Sequence, residues 1–511
     1  MMKKISFKPI IIAVVSIFLL FVAVKGKKGN PIAFQDTTDT SVGTPFESSN
    51  SSSRYALTQA IVDNHRFTLT DRQAQLSSPD LVRYHNTYFS IFTPGISFLS
   101  VPFYYVGKSF GVPQLFTYIS TLLFALLNLF LVYKVAIGFG AKKITAVLSG
   151  FLFLFATNAY VYALTLTQHH ASVTIVLLSL LNAQGKRTFI KDLLFGLIFS
   201  AGLLIDIPNA FFLLPIGLSI FFDHFSLQNT IKNIRISFNT IFLLVALGAL
   251  PLLFAFGIYN HSLTGSYTKI GQFIGQYNYP DANASAHKKV DEPKPVISNE
   301  LKSGINLPFN TRLQLQGFSI LLVSEQRGWL FYSPIVFLGI LGMIITIKKD
   351  ETQKMAVIAV AVVLINIVMY SMFGDPWGGW SFGPRYLIPA AAIMISFIAP
   401  AMDKYRKNIF FVIVLFALVG YSMYVTFMGA FTTSAIPPKG EAEHLLTPIP
   451  FTYHYNQDLL EKNFSSSLIY NIFLSQKISS QIFVESLTFF SVGFFFLLYG
   501  VTLDLRRKKK A

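Results

Sequence analysis

The segment Asp375-Pro-Trp-Gly-Gly-Trp-Ser-Phe-Gly-Pro-Arg-Tyr386 joins two strongly apolar runs at about 355–373 and 386–401. It holds two of the three tryptophans in the chain, with three glycines and two prolines. Trp and Tyr favour the membrane–water interface, glycines let a backbone approach a ligand, and an arginine can bind a phosphate through two parallel hydrogen bonds. The stretch predicts two membrane helices joined by a pocket for an anionic, partly lipidic ligand. An aromatic anchor on a tight turn is the simpler interpretation.

The composition is that of a polytopic membrane protein. Of the 511 residues, 53% are hydrophobic and 13% are charged, and the mean hydropathy is +0.53. The absence of cysteine excludes disulfides, thiol nucleophiles and cysteine metal sites. Apolar runs of about 20 residues recur along the chain. They predict twelve spans, at about 9–24, 113–134, 144–164, 170–183, 192–206, 208–222, 238–259, 329–347, 355–373, 386–401, 409–430 and 483–502.

The net charge of +17 would fit nucleic-acid binding, but its distribution indicates membrane topology instead, so no nucleic-acid partner is expected. More than half of the 41 basic residues fall at the termini and in the short connections that the twelve spans place on one side. Such loops mark the cytoplasmic side, so both termini are predicted to be cytoplasmic. The clusters are Lys3, Lys4 and Lys8; Lys134, Lys142 and Lys143; Lys186, Arg187 and Lys191; Lys232 and Arg235; Lys348, Lys349 and Lys354; Lys404, Arg406 and Lys407; and 506–510. The last of these can also contact anionic membrane lipid.

A single membrane domain over 1–511 is predicted, with long external segments at about 25–112, 260–328 and 431–482. The cytoplasmic connections are too short to hold a site, so binding and chemistry are assigned to the external face. The apolar segment 92–107 contains two prolines and two glycines and is predicted to be a helix in the interface. As a full span it would invert every later loop and place Lys142 and Lys348 outside.

The first external segment contains a serine run, 48–53, that offers helix N-caps, although such a run is also typical of a flexible linker. Leu57, Ala60 and Ile61 follow with helical spacing. We therefore predict a short amphipathic helix on the membrane over Arg54–Asp63.

In this order of segments the chain resembles the GT-C membrane glycosyltransferases, in particular the protein mannosyltransferases and the lipid A aminoarabinose transferases. The resemblance rests on Arg-Tyr-Ala at 54–56, on Phe92-Thr-Pro-Gly95, which is similar to a Lys-Pro-Pro segment of the family, and on the motifs at 327–334 and 377–386. It implies an all-α bundle of about twelve transmembrane helices in a bacterial plasma membrane. It also implies transfer of a sugar from a polyprenyl-phosphate-linked donor to an acceptor at the external face, with inversion.

An inverting transfer needs cations or a metal to stabilise the departing phosphate. Arg385, Arg327 and Arg54 are the external arginines beside apolar spans, and Arg385 is the first choice for the donor phosphate. An interfacial arginine that extends its head to water is the alternative for each. A divalent metal is a possible cofactor.

The reaction also needs a carboxylate that deprotonates the acceptor. Relatives carry an acidic pair just before Arg-Tyr, whereas this chain has serines at 51–53. Asp80 is the preferred base because it lies just before the interfacial segment, and Asp71 and Glu47 are the further candidates. A solvated loop acid is the alternative for each, and the departure leaves open an inactive chain or a different mechanism.

Aromatic and imidazole side chains complete the predicted pocket: Trp377, Trp380, Tyr386, Tyr88, His169 and His170. The two histidines could bind the acceptor or a metal, although a buried, hydrogen-bonded histidine is the commoner arrangement. Asp206 is either a functional intramembrane acid or the N-cap of the next span.

Two other functions use lipid-linked saccharides: a transporter or flippase, and a polymerase. The sequence shows no internal repeat of the kind that transporters carry. It also shows no Walker, dinucleotide or zinc motif. We therefore expect an enzyme that does not use nucleotide sugars.

Overall fold

The structure is a computed structural model that describes residues 8–26, 41–230, 233–279 and 309–504, without side-chain detail at 226–238 and 501–504. Some of the basic residues on which the predicted membrane topology depends lie outside the described residues, namely Lys3, Lys4, Lys232 and the tail at 506–510.

Helices dominate the described chain. They are α1 (Lys8–Val22), α2 (Ser49–Asn64), α3 (Asp71–Ser77), α4 (Gly95–Ser109), α5 (Pro113–Gly138), α6 (Lys143–Phe155), α7 (Ala159–Ala163), α8 (His169–Asn182), α9 (Phe189–Ile205), α10 (Asn209–Asp223), α11 (Leu243–Thr264), α12 (Gln314–Leu322), α13 (Trp329–Tyr332), α14 (Gly339–Ile347), α15 (Asp350–Ser371), α16 (Ile388–Tyr405), α17 (Ile409–Phe431), α18 (Lys439–Ala442), α19 (His454–Glu461) and α20 (Ser480–Asp504). Two antiparallel hairpins pair β1 (Leu81–Tyr84) with β2 (Thr87–Ser90) and β3 (Phe225–Thr230) with β4 (Asn233–Phe238). The chain is thus predominantly helical, and the prediction of an all-α fold missed these two hairpins.

Each predicted span contains a helix, but not all of these helices are long. Six are long and apolar enough to cross a membrane, and five further apolar helices are shorter. The predicted span at 144–164 is interrupted between α6 and α7, and the one at 329–347 is interrupted around Pro334. The structure therefore supports a multi-pass membrane protein, while the number of twelve spans stays a prediction.

The bundle is built around α16. In the most apolar part of this helix, 89% of the residues are buried. Helix α14 packs directly against it through Gly339 and Gly342. A Cβ on either glycine would collide with the backbone at Met394 or Phe397. Small residues at such contacts let membrane helices approach closely. This packing holds α14 and α16 in close contact at Met394 and Phe397.

Helix α2 differs from its prediction in both extent and surroundings. Ser48 is its N-cap, as the serine run suggested, but the serines from 49 onward are helical and so do not form a flexible linker. Ser51, Ser52 and Ser53 are buried, as are Arg54 and the residues to Thr58. Helix α2 is therefore enclosed by other parts of the protein. The prediction that it is an amphipathic helix on the membrane surface was wrong. The segment 92–107 does form a helix, α4.

Two ion pairs join connections that are far apart in the sequence. Lys142 pairs with Asp403, and Lys354 pairs with Asp223. These residues belong to the basic connections predicted to be cytoplasmic, so the structure places several of those connections together.

Candidate functional site

The loop between α15 and α16 has a backbone that favours glycine at three positions. Gly378, Gly379 and Gly383 have φ of 73°, 60° and 59°, a region that residues with a Cβ rarely adopt. A Cβ at Gly378 would lie 2.9 Å from Nε of Arg385. Gly378 therefore lets the backbone of the loop lie close to that arginine.

Arg327 stabilises this loop through hydrogen bonds to Trp377, Gly379 and Ser381. Its side chain is fully buried, and its guanidinium donates to the hydroxyl of Ser381 at 3.2 Å. Its other acceptors are the backbone carbonyls of Gln326, Trp377, Gly379, Ile436 and Phe451, at 2.7–3.4 Å. Because these contacts use all its N–H groups, Arg327 has no donor left for a ligand. We assign it a positioning role in place of the predicted phosphate contact.

Arg54 is also buried, but its guanidinium is only partly satisfied. Nη1 donates to the carbonyl of Asn50 at 3.1 Å and to the amide oxygen of the same residue, and Nη2 donates to Oε1 of Gln168 at 2.9 Å. The ring of Phe92 lies 3.8 Å from Cζ, a cation–π contact. Nε is buried and has no hydrogen-bond partner. Arg54 therefore retains a donor for a ligand.

Arg385 stands at the start of the helical turn that leads into α16. Its Nε is likewise buried without a hydrogen-bond partner, and its Cζ lies 5.3 Å from the ring of Tyr386. Tyr386 stacks on Tyr370 with ring centroids 4.3 Å apart, and its carbonyl accepts from Asn366 at 3.0 Å. These contacts fix the backbone that carries Arg385.

Asp80 provides a carboxylate that interacts electrostatically with both Arg385 and Arg54. Its Oδ2 accepts from Ser49 at 2.7 Å and its Oδ1 from Gln276 at 3.1 Å. Burial raises the pKa of Asp80, and the opposing hydrogen bonds and the charges of Arg385 and Arg54 do not cancel this effect. A carboxylate with a raised pKa is a stronger proton acceptor than a solvated one.

Asp206 lies in the same group of charges. It follows α9 and is 8% exposed, and the side chains of Gln168 and Gln272 hydrogen-bond to it. It is not an N-cap, because α10 begins after Pro208 without a side-chain cap. Arg54 acts electrostatically on Asp206, so a second carboxylate belongs to this site.

The two arginines and two carboxylates interact without direct ion pairing. None of the ion pairs formed by the described residues joins Arg54 or Arg385 to Asp80 or Asp206. Burial lowers the pKa of Arg54 to about 10, an effect that the two carboxylates oppose and Arg385 reinforces. The arginines are therefore not neutralised by contact, which suits a site for an anion.

A further segment, which the sequence analysis did not identify, interacts with both Asp80 and Asp206. We call residues 271–279 the glutamine segment, because Gln272 contacts Asp206 and Gln276 contacts Asp80. Its only sequence signal is the spacing of four between two glutamines in a loop rich in aromatics. That spacing does not identify their partners.

The other two predicted bases lie elsewhere. The side chain of Glu47 is 2% exposed and accepts hydrogen bonds from Lys25, Gly43, Thr433 and Ser434. Burial raises its pKa, but Lys25 and the hydrogen bonds outweigh this and leave the pKa below 4.5. Such a carboxylate is a structural anchor and a poor base.

Asp71 is exposed in the first turn of α3, where it interacts favourably with the helix dipole. No hydrogen bond or ion pair of the described residues joins it to Arg54 or Arg385. Asp80 is therefore the predicted base that the structure brings to the arginines.

The predicted pocket residues divide between the site and its supports. His169 is buried beside Tyr162, its Nε2 has no hydrogen-bond partner, and Arg385 and Arg54 act on it electrostatically. His170 instead contacts Asn128 and the carbonyl of Ala159.

The aromatic side chains mostly support loops. Trp377 donates to Gln326 at 2.7 Å and Trp380 to Glu441 at 2.8 Å. Tyr88 packs against Tyr277 in the glutamine segment. Within the described residues, no group of three or more His, Asp and Glu side chains could hold a metal ion.

No family model and no curated protein matches this chain. Among solved structures it is similar to ArnT from Cupriavidus metallidurans in the apo state, with 11% identity and a TM-score of 0.49, over 96% of this chain and 76% of that one. The same protein bound to undecaprenyl phosphate matches with 11% identity and a TM-score of 0.44, over 80% and 64%. The archaeal oligosaccharyltransferase AglB from Archaeoglobus fulgidus, in complex with an inhibitory peptide and a dolichol-phosphate, matches with 12% identity and a TM-score of 0.43, over 83% and 56%.

Proposed function

We propose that this protein transfers a sugar from a polyprenyl-phosphate-linked donor to an acceptor at the external face of the membrane, with inversion at the anomeric carbon. The observation that supports the proposal is the electrostatic interaction of Asp80 with Arg54 and Arg385. Each of these arginines has a buried Nε without a hydrogen-bond partner. A glycosyl phosphate needs this combination, since it requires a proton acceptor on one side of the anomeric carbon and cations on the other.

In the proposed reaction the acceptor hydroxyl loses its proton to Asp80 while its oxygen forms a bond to the anomeric carbon. The bond from that carbon to the phosphate oxygen breaks, and the electron pair leaves with the phosphate. Arg385 and Arg54 stabilise the charge that develops on the departing group. Burial raises the pKa of Asp80, which makes its carboxylate a stronger proton acceptor than a solvated one.

The phosphate is proposed to lie at the membrane edge, since Arg385 is directly followed by the apolar helix α16. A polyprenyl chain could then remain among the helices while its phosphate reaches the arginines. Undecaprenyl phosphate and dolichol-phosphate, the lipids named for two of the matched structures, are of this chemical class.

The test is to incubate purified protein in detergent with a panel of polyprenyl-phosphate sugars and candidate acceptors. Release of polyprenyl phosphate together with a new glycoside identifies the class and the donor. Binding of the donors without release of polyprenyl phosphate would contradict the proposal and favour a transporter or flippase of lipid-linked saccharides.

A further inference from the structure

The glutamine segment is attached to the first external segment by backbone and ring contacts. The amide of Tyr277 donates to the carbonyl of Leu81 at 2.8 Å, and the amide of Tyr279 donates to Oγ of Ser78 at 3.1 Å. The ring of Tyr277 also lies under the guanidinium of Arg83, 5.4 Å from its Cζ. The segment therefore has a defined position next to Asp80.

Within this segment the two glutamines reach different carboxylates. Gln276 donates from Nε2 to Oδ1 of Asp80 at 3.1 Å, and Gln272 hydrogen-bonds to Asp206. Gln276 is exposed, whereas Asp80 is half-buried. The amide of Gln276 thus contacts Asp80 from the solvent side.

We propose that Gln272 and Gln276 are positioning residues that hold the carboxylates of Asp206 and Asp80 from the outer side of the site and set the orientation and basicity of Asp80. This inference rests on the proposed function, in which Asp80 is the base. The glutamines would not touch the reacting atoms, and their effect would pass through the two carboxylates.

The surroundings of Asp80 determine in which direction the loss of Gln276 would change its protonation. The groups that face Asp80 are Arg54 and Ser49 from α2, Arg385 from the 375–386 loop, and Gln276 from the glutamine segment. A hydrogen bond donated to a carboxylate stabilises its charged form. Loss of the Gln276 amide is therefore expected to make Asp80 easier to protonate.

Two substitutions separate this effect from simple packing. Gln276→Ala removes the donor, whereas Gln276→Glu keeps the size of the side chain and places a second negative charge beside Asp80. A space-filling role would be retained by glutamate, but a positioning role predicts a larger effect from glutamate than from alanine. Asn278→Ala changes another exposed residue of the same segment and is the matched control.

The first measurement is turnover against pH for the wild type and these three variants. Gln276→Ala is expected to move the acid limb to higher pH and to lower turnover on that limb about 5- to 10-fold, while turnover at higher pH stays within about twofold, as for loss of one hydrogen bond to a charged group. Gln276→Glu is expected to move the limb further, and Asn278→Ala is expected to match the wild type. Coincident acid limbs for Gln276→Ala and Asn278→Ala would overturn the inference and leave the proposed function intact.

The second measurement needs no turnover. Hydrogen exchange of peptides covering 271–279 is compared for Gln272→Ala, Gln276→Ala and Asn278→Ala in the full-length protein. Faster exchange is expected in the first two, because the contacts to Asp206 and Asp80 help to retain the segment. If the wild type transfers no sugar, the proposed function fails, and equal exchange in all three variants would then overturn the glutamine contacts on their own.

Discussion

Replacing Asp80 by asparagine removes the proton acceptor of the proposed reaction and keeps the shape of the side chain. The asparagine oxygen can still accept from Gln276, as Oδ1 of Asp80 does at 3.1 Å. The hydroxyl of Ser49, which donates to Oδ2 at 2.7 Å, can rotate and accept from the new amide. The main loss is one negative charge beside Arg54 and Arg385, so folding and donor binding are expected to survive.

The expected loss in turnover follows from the role of a general base. Such a group contributes about 10²–10⁴-fold, which corresponds to about 3–5 kcal/mol of transition-state stabilisation. The pH profile gives a second signature. Because burial raises the pKa of Asp80, wild-type turnover should fall as the pH drops through that raised pKa and protonates the base. Asp80→Asn should abolish this limb.

The assay is release of polyprenyl phosphate from the best donor of the panel, measured at several pH values. Asp71→Asn is the matched control and is expected to remain near wild type, because Asp71 is exposed and apart from the arginines. Asp206→Asn tests the second carboxylate of the site. A loss of tenfold or less at Asp80, with a collapse at Asp206, would refute the assignment and make Asp206 the base. Near-normal transfer in all three variants would mean that another group deprotonates the acceptor.

Arg385→Ala is expected to lower turnover about 10²–10³-fold at an unchanged protein level, and Arg385→Lys should restore little because an ammonium cannot replace the planar guanidinium. Wild-type turnover of Arg385→Ala would place the donor phosphate elsewhere. Arg327→Ala leaves buried carbonyls without their donor and should lower the unfolding temperature in detergent, so an unchanged temperature would contradict its positioning role. Glu47→Gln leaves the ammonium of Lys25 buried and should destabilise the protein by about 3–5 kcal/mol at neutral pH, again measured by thermal unfolding. The folded-state pKa of Glu47 is lowered from 4.5, so its contribution is present above the unfolded pKa and is lost as the pH falls through the lowered value, and a deficit that persists in strong acid would argue against this. A cysteine at Lys143 should be protected from an impermeant reagent applied outside, and its labelling would overturn the predicted orientation.

Helix positions were accessible from the sequence because they depend on neighbouring residues. Continuous apolar runs located helices at all twelve predicted spans, and the serine run located the N-cap of α2 at Ser48. The short strands β1 and β2 were missed, since four residues each give little periodicity. The surroundings of α2 were also missed, because burial of its serines depends on segments distant in the chain.

The candidate site was predicted in part. Arg54, Arg385 and Asp80 were predicted from residue type and from their position beside apolar segments, and in the structure the three side chains interact electrostatically. Arg327 and Glu47 were predicted in the same way, as a phosphate ligand and as a candidate base. Their side chains are instead enclosed by hydrogen-bond partners.

Hydropathy and helix capping act over a few residues, so the class of protein, the helices and the residue types available for an anionic ligand could be predicted from local patterns. Which charged side chains have all their hydrogen bonds satisfied, and which keep a donor without a partner, depends on how the folded chain packs. The contact of Glu47 with Thr433 joins residues 386 positions apart, and that of Gln276 with Asp80 joins residues 196 positions apart. A buried charge requires partners, and partners at such separations are set by the packing of the whole chain and not by any local pattern.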